Sequence, residues 1–351
     1  MRGDFPAFYA AGVIAAGPHP EMLYDVELQR AIENDAWPNL DGEVLVNAYP
    51  PYVAALAIPL TWLSPINSKI FHLLLSCAAL IAAAAIIATR KGDKIIPVLA
   101  VLTCFAPILH GTLGGQNTAF SILCLCGAYH ALAVGDKRSD MKAGLWLGLW
   151  LFKPNLALIV IASLVLSGRL YILPGVFLVA LLYELLAVSL LGFWWLTPWL
   201  HAASQFHAAD LIFNAHQMIS IGGAAAALGA KQLLFPSIES GLLVGTVAGA
   251  ILIFPVLYKV RRATCFAHYW LLVPAALLCS PHAVYYDVGL CTAAMLYLGM
   301  IRPELFSRAS ALLLLFGILC VGLKDYFPAQ PLILLPVLLL VTIWRENGKS
   351  E

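Results

Sequence analysis

Residues 68–94 read SKIFHLLLSCAALIAAAAIIATRKGDK, and this stretch decides the class of fold. No charged residue occurs between Ile70 and Thr89. A helix needs about 20 such residues to cross a hydrocarbon core of about 30 Å. Basic residues follow at once, and basic clusters mark the cytoplasmic ends of membrane helices. The stretch therefore predicts a membrane-spanning helix whose C-terminal end faces the cytoplasm.

The composition extends this prediction to the whole chain. Of the 351 residues, 62% are hydrophobic and only 11% are charged, whereas soluble proteins carry about 25% charged residues. We expect an all-α, polytopic transmembrane helical bundle of about 10–12 membrane helices, short or re-entrant ones included. The further apolar segments are 95–109, 118–135, 142–152, 155–167, 170–193, 233–258, 265–280, 284–301, 309–323 and 331–344.

Charge distribution predicts the orientation and the domains. Residues 1–47 are predicted to form a first extracytoplasmic loop with short surface helices, because they hold eight acidic but two basic groups. Residues 48–344 are predicted to form the transmembrane bundle, in which 194–232 is an extracytoplasmic loop. Residues 48–65 are predicted either to dip into the membrane and return or to lie at its interface. Residues 345–351 are the expected cytoplasmic tail. The basic residues that assign loops to the cytoplasm are Arg90, Lys91, Lys94, Lys137, Arg138, Lys142, Arg169, Lys259, Arg261, Arg262, Arg302, Arg308, Arg345 and Lys349.

Charge, cysteines and the first residues exclude several classes of protein. The net charge of +1 indicates no nucleic-acid partner. The eight cysteines fall mostly in apolar runs without metal-ligand spacing, so we expect inert buried thiols, no metal and no cofactor. The start of the chain has neither a basic region nor an apolar run typical of a cleavable signal peptide.

Polar residues recur at the predicted outer ends of the apolar segments. They are Asp4, Tyr49-Pro50-Pro51, Gly115-Gln116-Asn117, Lys153-Pro154-Asn155, Gln217 with Ser220, Ser280-Pro281-His282 and Tyr285-Tyr286-Asp287. Each has a structural alternative: a helix cap for Gln116 and Asn117, a kink with a snorkelling side chain for Lys153, and an interface belt for the tyrosines. Lys153 is the most informative, because a lysine between two apolar half-helices is costly and is usually functional or paired.

These motifs, in this order from residue 4 to about 290, resemble glycosyltransferase family 87, the polyprenol-phosphate-mannose-dependent mannosyltransferase-like membrane proteins of the GT-C superfamily. Asp4 matches the acidic residue that follows the first transmembrane helix of that family and has the role of catalytic base. No apolar helix precedes Asp4 in this sequence: either upstream in-frame DNA encodes one, as the resemblance predicts, or this protein dispenses with that helix. Without the resemblance, an N-cap ahead of Pro6 is the favoured interpretation of Asp4.

The resemblance implies a chemistry and a set of site residues. An inverting transfer needs a carboxylate to deprotonate the acceptor hydroxyl, and Asp4 is the predicted catalytic residue. A departing polyprenyl phosphate needs positive charge or hydrogen-bond donors. The predicted substrate-binding residues are Tyr49, Gln116, Asn117, Lys153, Asn155, Gln217, His282, Tyr286 and Asp287.

The expected partners follow from the same resemblance. They are a polyprenyl-phosphate sugar donor, most simply a mannose donor, a lipid or glycan acceptor, and membrane lipid. The expected location is the bacterial inner membrane, crossed several times, with the active site facing the periplasm or the cell exterior.

A secondary transporter or flippase is the alternative, because Lys153 and Glu184 lie within apolar segments and the helices around Lys153 are interrupted. Against it, the two halves of the chain show no internal repeat, and the polar motifs lie at one face.

Overall fold

The structure is a computed structural model that describes residues 3–89, 94–263, 266–301, 314–322 and 326–345. Arg90, Lys91, Arg302, Arg308 and the tail from 346 onward, on which part of the predicted orientation rests, lie outside the described residues. Within the described ranges the regular secondary structure is helical, apart from an isolated antiparallel bridge between Met218 and Val284. The prediction of an all-α polytopic bundle is confirmed.

The helices have the following bounds. They are α1 (Phe5–Ala16), α2 (Val26–Ala36), α3 (Pro51–Ala57), α4 (Pro65–Thr89), α5 (Ile95–Cys104), α6 (Ala106–Gly114), α7 (Thr118–Leu132), α8 (Lys137–Leu149), α9 (Pro154–Leu166), α10 (Leu173–Leu191), α11 (Leu196–Asn214), α12 (Ile221–Ala230), α13 (Ile238–Arg261), α14 (Leu272–Cys279), α15 (Gly289–Ile301) and α16 (Leu334–Arg345). Residues 314–322, part of the predicted segment 309–323, are also helical.

Three helical stretches in the described part are long and apolar enough to cross a membrane: α4, Leu170–Leu191, which includes α10, and α13. The pair α5 and α6 makes a fourth if counted as one span, although it bends by 72°. Seven shorter apolar helices accompany them. In the most apolar 18-residue stretch of each helix, only 28% of the residues of Leu170–Leu191 and 22% of those of α13 are buried in the protein. These helices therefore present apolar surface outward, as contact with lipid requires.

The apolar segment that Lys153 interrupts forms a helical hairpin. Pro154 begins α9, where its missing N–H and fixed φ are tolerated. After α9 the chain returns to the start of α8, where Arg169 Nη1 lies 3.3 Å from Asp140 Oδ1. Lys153 therefore lies at the turn of the hairpin, at the opposite end from Arg169 and from the basic start of α8.

The core explains how the short helices are held. Trp150 and Tyr129 are among the largest fully buried side chains, and Tyr52 stacks on Tyr183 with ring centroids 4.5 Å apart. The Tyr52 hydroxyl donates to the carbonyl of Leu151 at 2.8 Å. Segment 48–65 is thus fixed to the α8–α9 hairpin and to α10 by aromatic packing and a buried hydrogen bond.

Two segments differ from the sequence prediction. The predicted surface helix α1 has ten of its twelve residues buried, because its small and aromatic side chains pack on α3 and α4; at Gly12 an added Cβ would lie 2.8 Å from the carbonyl oxygen of Ala57. The predicted loop 194–232 contains α11 and α12. Its first turns are joined to α10, where Glu184 accepts a hydrogen bond from Trp195 Nε1 at 3.1 Å.

The predicted orientation is testable at two exposed positions, Arg138 and Ser204. In a chain whose native cysteines are replaced, we expect Ser204→Cys to react with a membrane-impermeant maleimide in intact cells, because α11 belongs to the segment predicted to be outside. Arg138→Cys should react only after the cells are lysed. Labelling of residue 138 together with protection of residue 204 in intact cells would reverse the orientation.

Candidate functional site

A cavity of about 950 Å³ collects most of the polar motifs. Its wall consists of the start of α1, the end of α6, the start of α9 and one face of α11. The non-helical stretches 44–50 and 281–286 complete it. The cavity therefore lies where helices begin and end, so that backbone and side-chain polar groups face it.

Asp4 and Gln116 meet at one end of the cavity. Asp4 immediately precedes α1, but its side chain makes no capping hydrogen bond to the first turn; it accepts a hydrogen bond from Gln116 Nε2 instead. Gly115, with φ of +80°, turns the chain out of α6, and a Cβ at this position would lie 2.5 Å from Cβ of Phe5. This geometry favours a role in the cavity for Asp4 over the N-cap alternative.

The Asp4 carboxylate is a weak base that remains mostly ionised at neutral pH. Burial raises the pKa of Asp4 to about 6, against a smaller lowering by the positive charge of Lys153 and a further raising by Asp210. A carboxylate with such a pKa accepts a proton more readily than an ordinary aspartate and is still available at pH 7.

Lys153 forms a buried ion pair with Asp287. The lysine is 4% exposed and the carboxylate lies behind it, away from the cavity. The second oxygen of Asp287 accepts the backbone N–H of Val284 at 3.2 Å, and the Lys153 ammonium lies 5.2 Å from the centroid of the Tyr286 ring. The pair thus fixes the turn between α14 and α15 against the start of α9.

His282 faces Asp210 across the cavity wall. The His282 Nδ1 atom lies 3.2 Å from Asp210 Oδ2, and the backbone carbonyl of His282 accepts a hydrogen bond from Asn155. Asn214 Nδ2 donates to Asp210 at 2.7 Å, and Gln217 Nε2 donates to Asn214 at 3.0 Å. Four polar side chains, from two separate parts of the sequence, are therefore joined to His282.

The structure brings together eight of the ten predicted site residues. The cavity is lined by Asp4, Tyr49, Gln116, Lys153, Asn155, Gln217, His282 and Tyr286. The other two do not line it: Asn117 is buried at the start of α7, and Asp287 is buried behind Lys153. Burial raises the pKa of the Tyr49 and Tyr286 hydroxyls, so both remain protonated and can donate hydrogen bonds.

Sequence reasoning missed the contribution of α11. Trp199, Phe206, His207, Asp210 and Phe213 line the cavity from one face of this helix. Their spacing of three, four or seven residues was the available signal. Helix α11 supplies a second carboxylate, Asp210, and a row of aromatic side chains that includes Phe213, which is 72% exposed.

The same residues bear on metal binding. Within the described ranges, no group of three or more His, Cys, Asp or Glu side chains has an arrangement that could hold a metal ion. Asp210 and His282 form a pair only.

Comparison with known families agrees with the class of fold described above, a bundle of apolar helices around a polar cavity. The family model of glycosyltransferase family 87 matches residues 47–281, about two thirds of the chain. The chain belongs to this family and is a membrane glycosyltransferase, which decides against the transporter or flippase alternative. The comparison with curated proteins and that with solved structures gave no match.

The range of the family match divides the cavity residues. Tyr49, Gln116, Lys153, Asn155 and Gln217 fall inside it, whereas Asp4 and the 282–287 turn fall outside. The assignment of Asp4 to the cavity therefore rests on the hydrogen bond that it accepts from Gln116, and on the lack of a capping hydrogen bond from its side chain to α1.

The Lys153–Asp287 pair gives a prediction on stability. Lys153→Ala leaves Asp287 buried without its partner, which costs about 3–5 kcal/mol of unfolding free energy. The double variant Lys153→Ala with Asp287→Ala removes both charges and should recover much of the loss. Thermal denaturation of the four proteins in one detergent measures the coupling; strictly additive effects would show that the pair is energetically unimportant.

Proposed function

We propose that this glycosyltransferase moves a hexose, mannose in the simplest case, from a polyprenyl-phosphate carrier to an acceptor hydroxyl, with inversion. The proposal includes a GT-C type of bundle, a bacterial inner membrane and an active site on the periplasmic or outer face. The observation that carries it is the Asp4 carboxylate, held by Gln116, in a cavity at the ends of apolar helices.

Asp4 is the proposed general base. It takes the proton of the acceptor hydroxyl while the oxygen forms its bond to the anomeric carbon, and the bond from that carbon to the phosphate oxygen breaks on the opposite side. The phosphate leaves with the bonding electron pair and needs positive charge or hydrogen-bond donors.

Donors for the departing phosphate are present around the cavity. Lys153 lines it while keeping one contact to Asp287, and an ammonium has three N–H groups to donate. His282 and the protonated hydroxyl of Tyr286 line the same region. Because the Lys153 charge is already partly compensated by Asp287, we assign the phosphate to these groups jointly.

The wall formed by α11 supports a lipid-linked donor. Ile212 is 65% exposed and Phe213 72% exposed, and Phe213 also lines the cavity. An apolar surface that continues into a polar cavity suits a substrate with an isoprenoid chain and a charged head, because the chain can remain in the bilayer while the head enters.

The experiment that tests the proposal compares two donors. Purified protein in nanodiscs is given a radiolabelled polyprenyl-phosphate sugar or the corresponding nucleotide sugar, with a membrane-lipid extract as the acceptor source. We expect transfer or slow hydrolysis of the polyprenyl-phosphate sugar only. Turnover of the nucleotide sugar, with none of the lipid-linked one, would overturn the proposed donor.

Substitution of Asp4 gives the sharpest activity prediction. Asp4→Asn keeps the size of the side chain and its capping ability but removes the base, so turnover should fall by roughly 10²–10⁴-fold. Expression level and melting temperature should stay close to wild type. Near-normal turnover in Asp4→Asn, in a protein that includes any upstream helix, would return Asp4 to the N-cap alternative.

The pH dependence follows from the raised pKa of Asp4. The base works when ionised, so kcat/KM should be constant above pH 7 and fall about tenfold per pH unit well below 6. Asp210→Asn should move this acidic fall in kcat/KM, the acidic limb of the pH profile, to lower pH. The reason is that the Asp210 charge raises the pKa of Asp4. Enzyme preincubated at each pH and assayed at pH 7.5 controls for denaturation; a limb that stays in place in Asp210→Asn would contradict the assignment.

A further inference from the structure

Residues 43–49 form a segment without helix or strand along the cavity wall, and side chains bond to every second residue of it, as in an extended chain. Its backbone groups on odd-numbered residues bond to the preceding part of the chain, all within 2.8–2.9 Å. The bonds are Asn34 Nδ2 to the Glu43 carbonyl, Leu45 N–H to Glu33 Oε2, Asn47 N–H to Gln29 Oε1, and the Tyr24 hydroxyl to the Tyr49 carbonyl. Side chains of α2, together with Tyr24 just before it, thus take the place of a neighbouring strand.

This alternation determines where the even-numbered residues point. In an extended chain the N–H and C=O groups of successive residues point to opposite sides, so those of Val44, Val46 and Ala48 point away from α2. An independent contact agrees: the Ala48 carbonyl accepts a hydrogen bond from Trp199 Nε1 of α11 at 3.1 Å, and Trp199 lines the cavity.

The edge at Val44 and Val46 lies on the same side of the segment as Trp199, whose side chain bonds to the Ala48 carbonyl and lines the cavity. Both residues line it and both are partly exposed. Among the described residues, no protein group bonds to the N–H or the C=O of either valine. Two donors and two acceptors, repeating at about 6.8 Å for two residues of extended chain, are therefore available to a ligand.

We propose that the Val44–Val46 edge binds the acceptor, and that the acceptor is a sugar whose hydroxyl groups bond to these amides and carbonyls. The inference rests on the proposed function, since it names the acceptor class for the same cavity. The acceptor must place one hydroxyl at Asp4, and the edge shares the cavity with that carboxylate. Electrostatic coupling agrees with their proximity, because the charge of Asp4 adds to burial in raising the pKa of Glu33, which holds Leu45, to about 7.

Two observations favour a polyhydroxylated acceptor over an extended peptide. The free edge comprises only two outward-facing residues, because Trp199 closes it at Ala48, and a peptide strand needs a longer ladder to bind by its backbone. Carboxamides also line the cavity, at Asn47, Asn155 and Gln217. Amides donate and accept at once, which matches hydroxyl groups, since these also do both.

The test removes one backbone N–H donor from the Val44–Val46 edge and leaves the edge that bonds to the α2 side chains unchanged. Val46→Pro deletes the N–H that faces the cavity, and proline is tolerated where a strand N–H faces outward. Val46→Ala removes most of the side chain but keeps the N–H, and serves as the matched control. The probe is octyl mannoside, with octanol and a short Gly-Ser-Gly peptide as comparison ligands, measured by saturation-transfer NMR on protein in nanodiscs.

We expect wild type and Val46→Ala to bind octyl mannoside alike, and Val46→Pro to bind it roughly fivefold to tenfold more weakly, the usual worth of one hydrogen bond. Octanol should show no difference among the three proteins. This binding needs no donor, so it can fail or succeed whatever the donor proves to be.

Three results would overturn the proposal. They are equal weakening in Val46→Ala and Val46→Pro, unchanged mannoside binding in Val46→Pro, and peptide binding that exceeds mannoside binding and is lost in Val46→Pro. If Val46→Pro fails to fold, α-hydroxyvaline introduced at position 46 by nonsense suppression replaces the same N–H with an ester oxygen. The same loss of mannoside binding is then expected.

Discussion

The buried ion pair between Lys153 and Asp287 is the interaction on which the rest of the site depends. Both side chains are nearly inaccessible to solvent. Either charge buried without the other would destabilise the fold, because its desolvation would not be compensated. The pair fastens the turn of the α8–α9 hairpin to the turn between α14 and α15. His282 and Tyr286 belong to that second turn, so their positions relative to Asn155 follow from the same contact.

Around this fixed point the chain brings helix ends together. Gly115 lets the end of α6 approach the start of α1, so that Gln116 reaches Asp4. Helix ends leave backbone groups without intrahelical partners, and several such ends face the same cavity. Apolar helices outside and polar termini inside allow a reaction of charged groups at the edge of a bilayer. The extended segment 43–49 adds a further set of backbone groups to this wall.

Much of this arrangement is readable from the sequence, because it depends on local patterns. Uncharged runs predict the long helices, and the short polar motifs at their ends predict eight cavity residues, Asp4 and Lys153 among them. Asp210 was missed because it lies inside a segment expected to be a loop, and its partner His282 is distant in sequence. Asn117 and Asp287 belong to the right motifs but are buried and do not line the cavity, since a motif predicts where a residue lies in the fold but not whether its side chain is accessible. The burial of α1 likewise depends on packing against α3 and α4, which no local pattern contains.

The central claim is that one carboxylate, Asp4, activates the acceptor for a direct displacement of the lipid-linked phosphate. The anomeric configuration of the product tests this most directly, because a single displacement inverts the anomeric carbon whereas a covalent glycosyl-enzyme would retain it. The measurement is the one-bond carbon–proton NMR coupling at the anomeric position of a product made by purified enzyme from a donor of known configuration. The account predicts a product whose configuration is opposite to that of the donor; a product with the same configuration would contradict it.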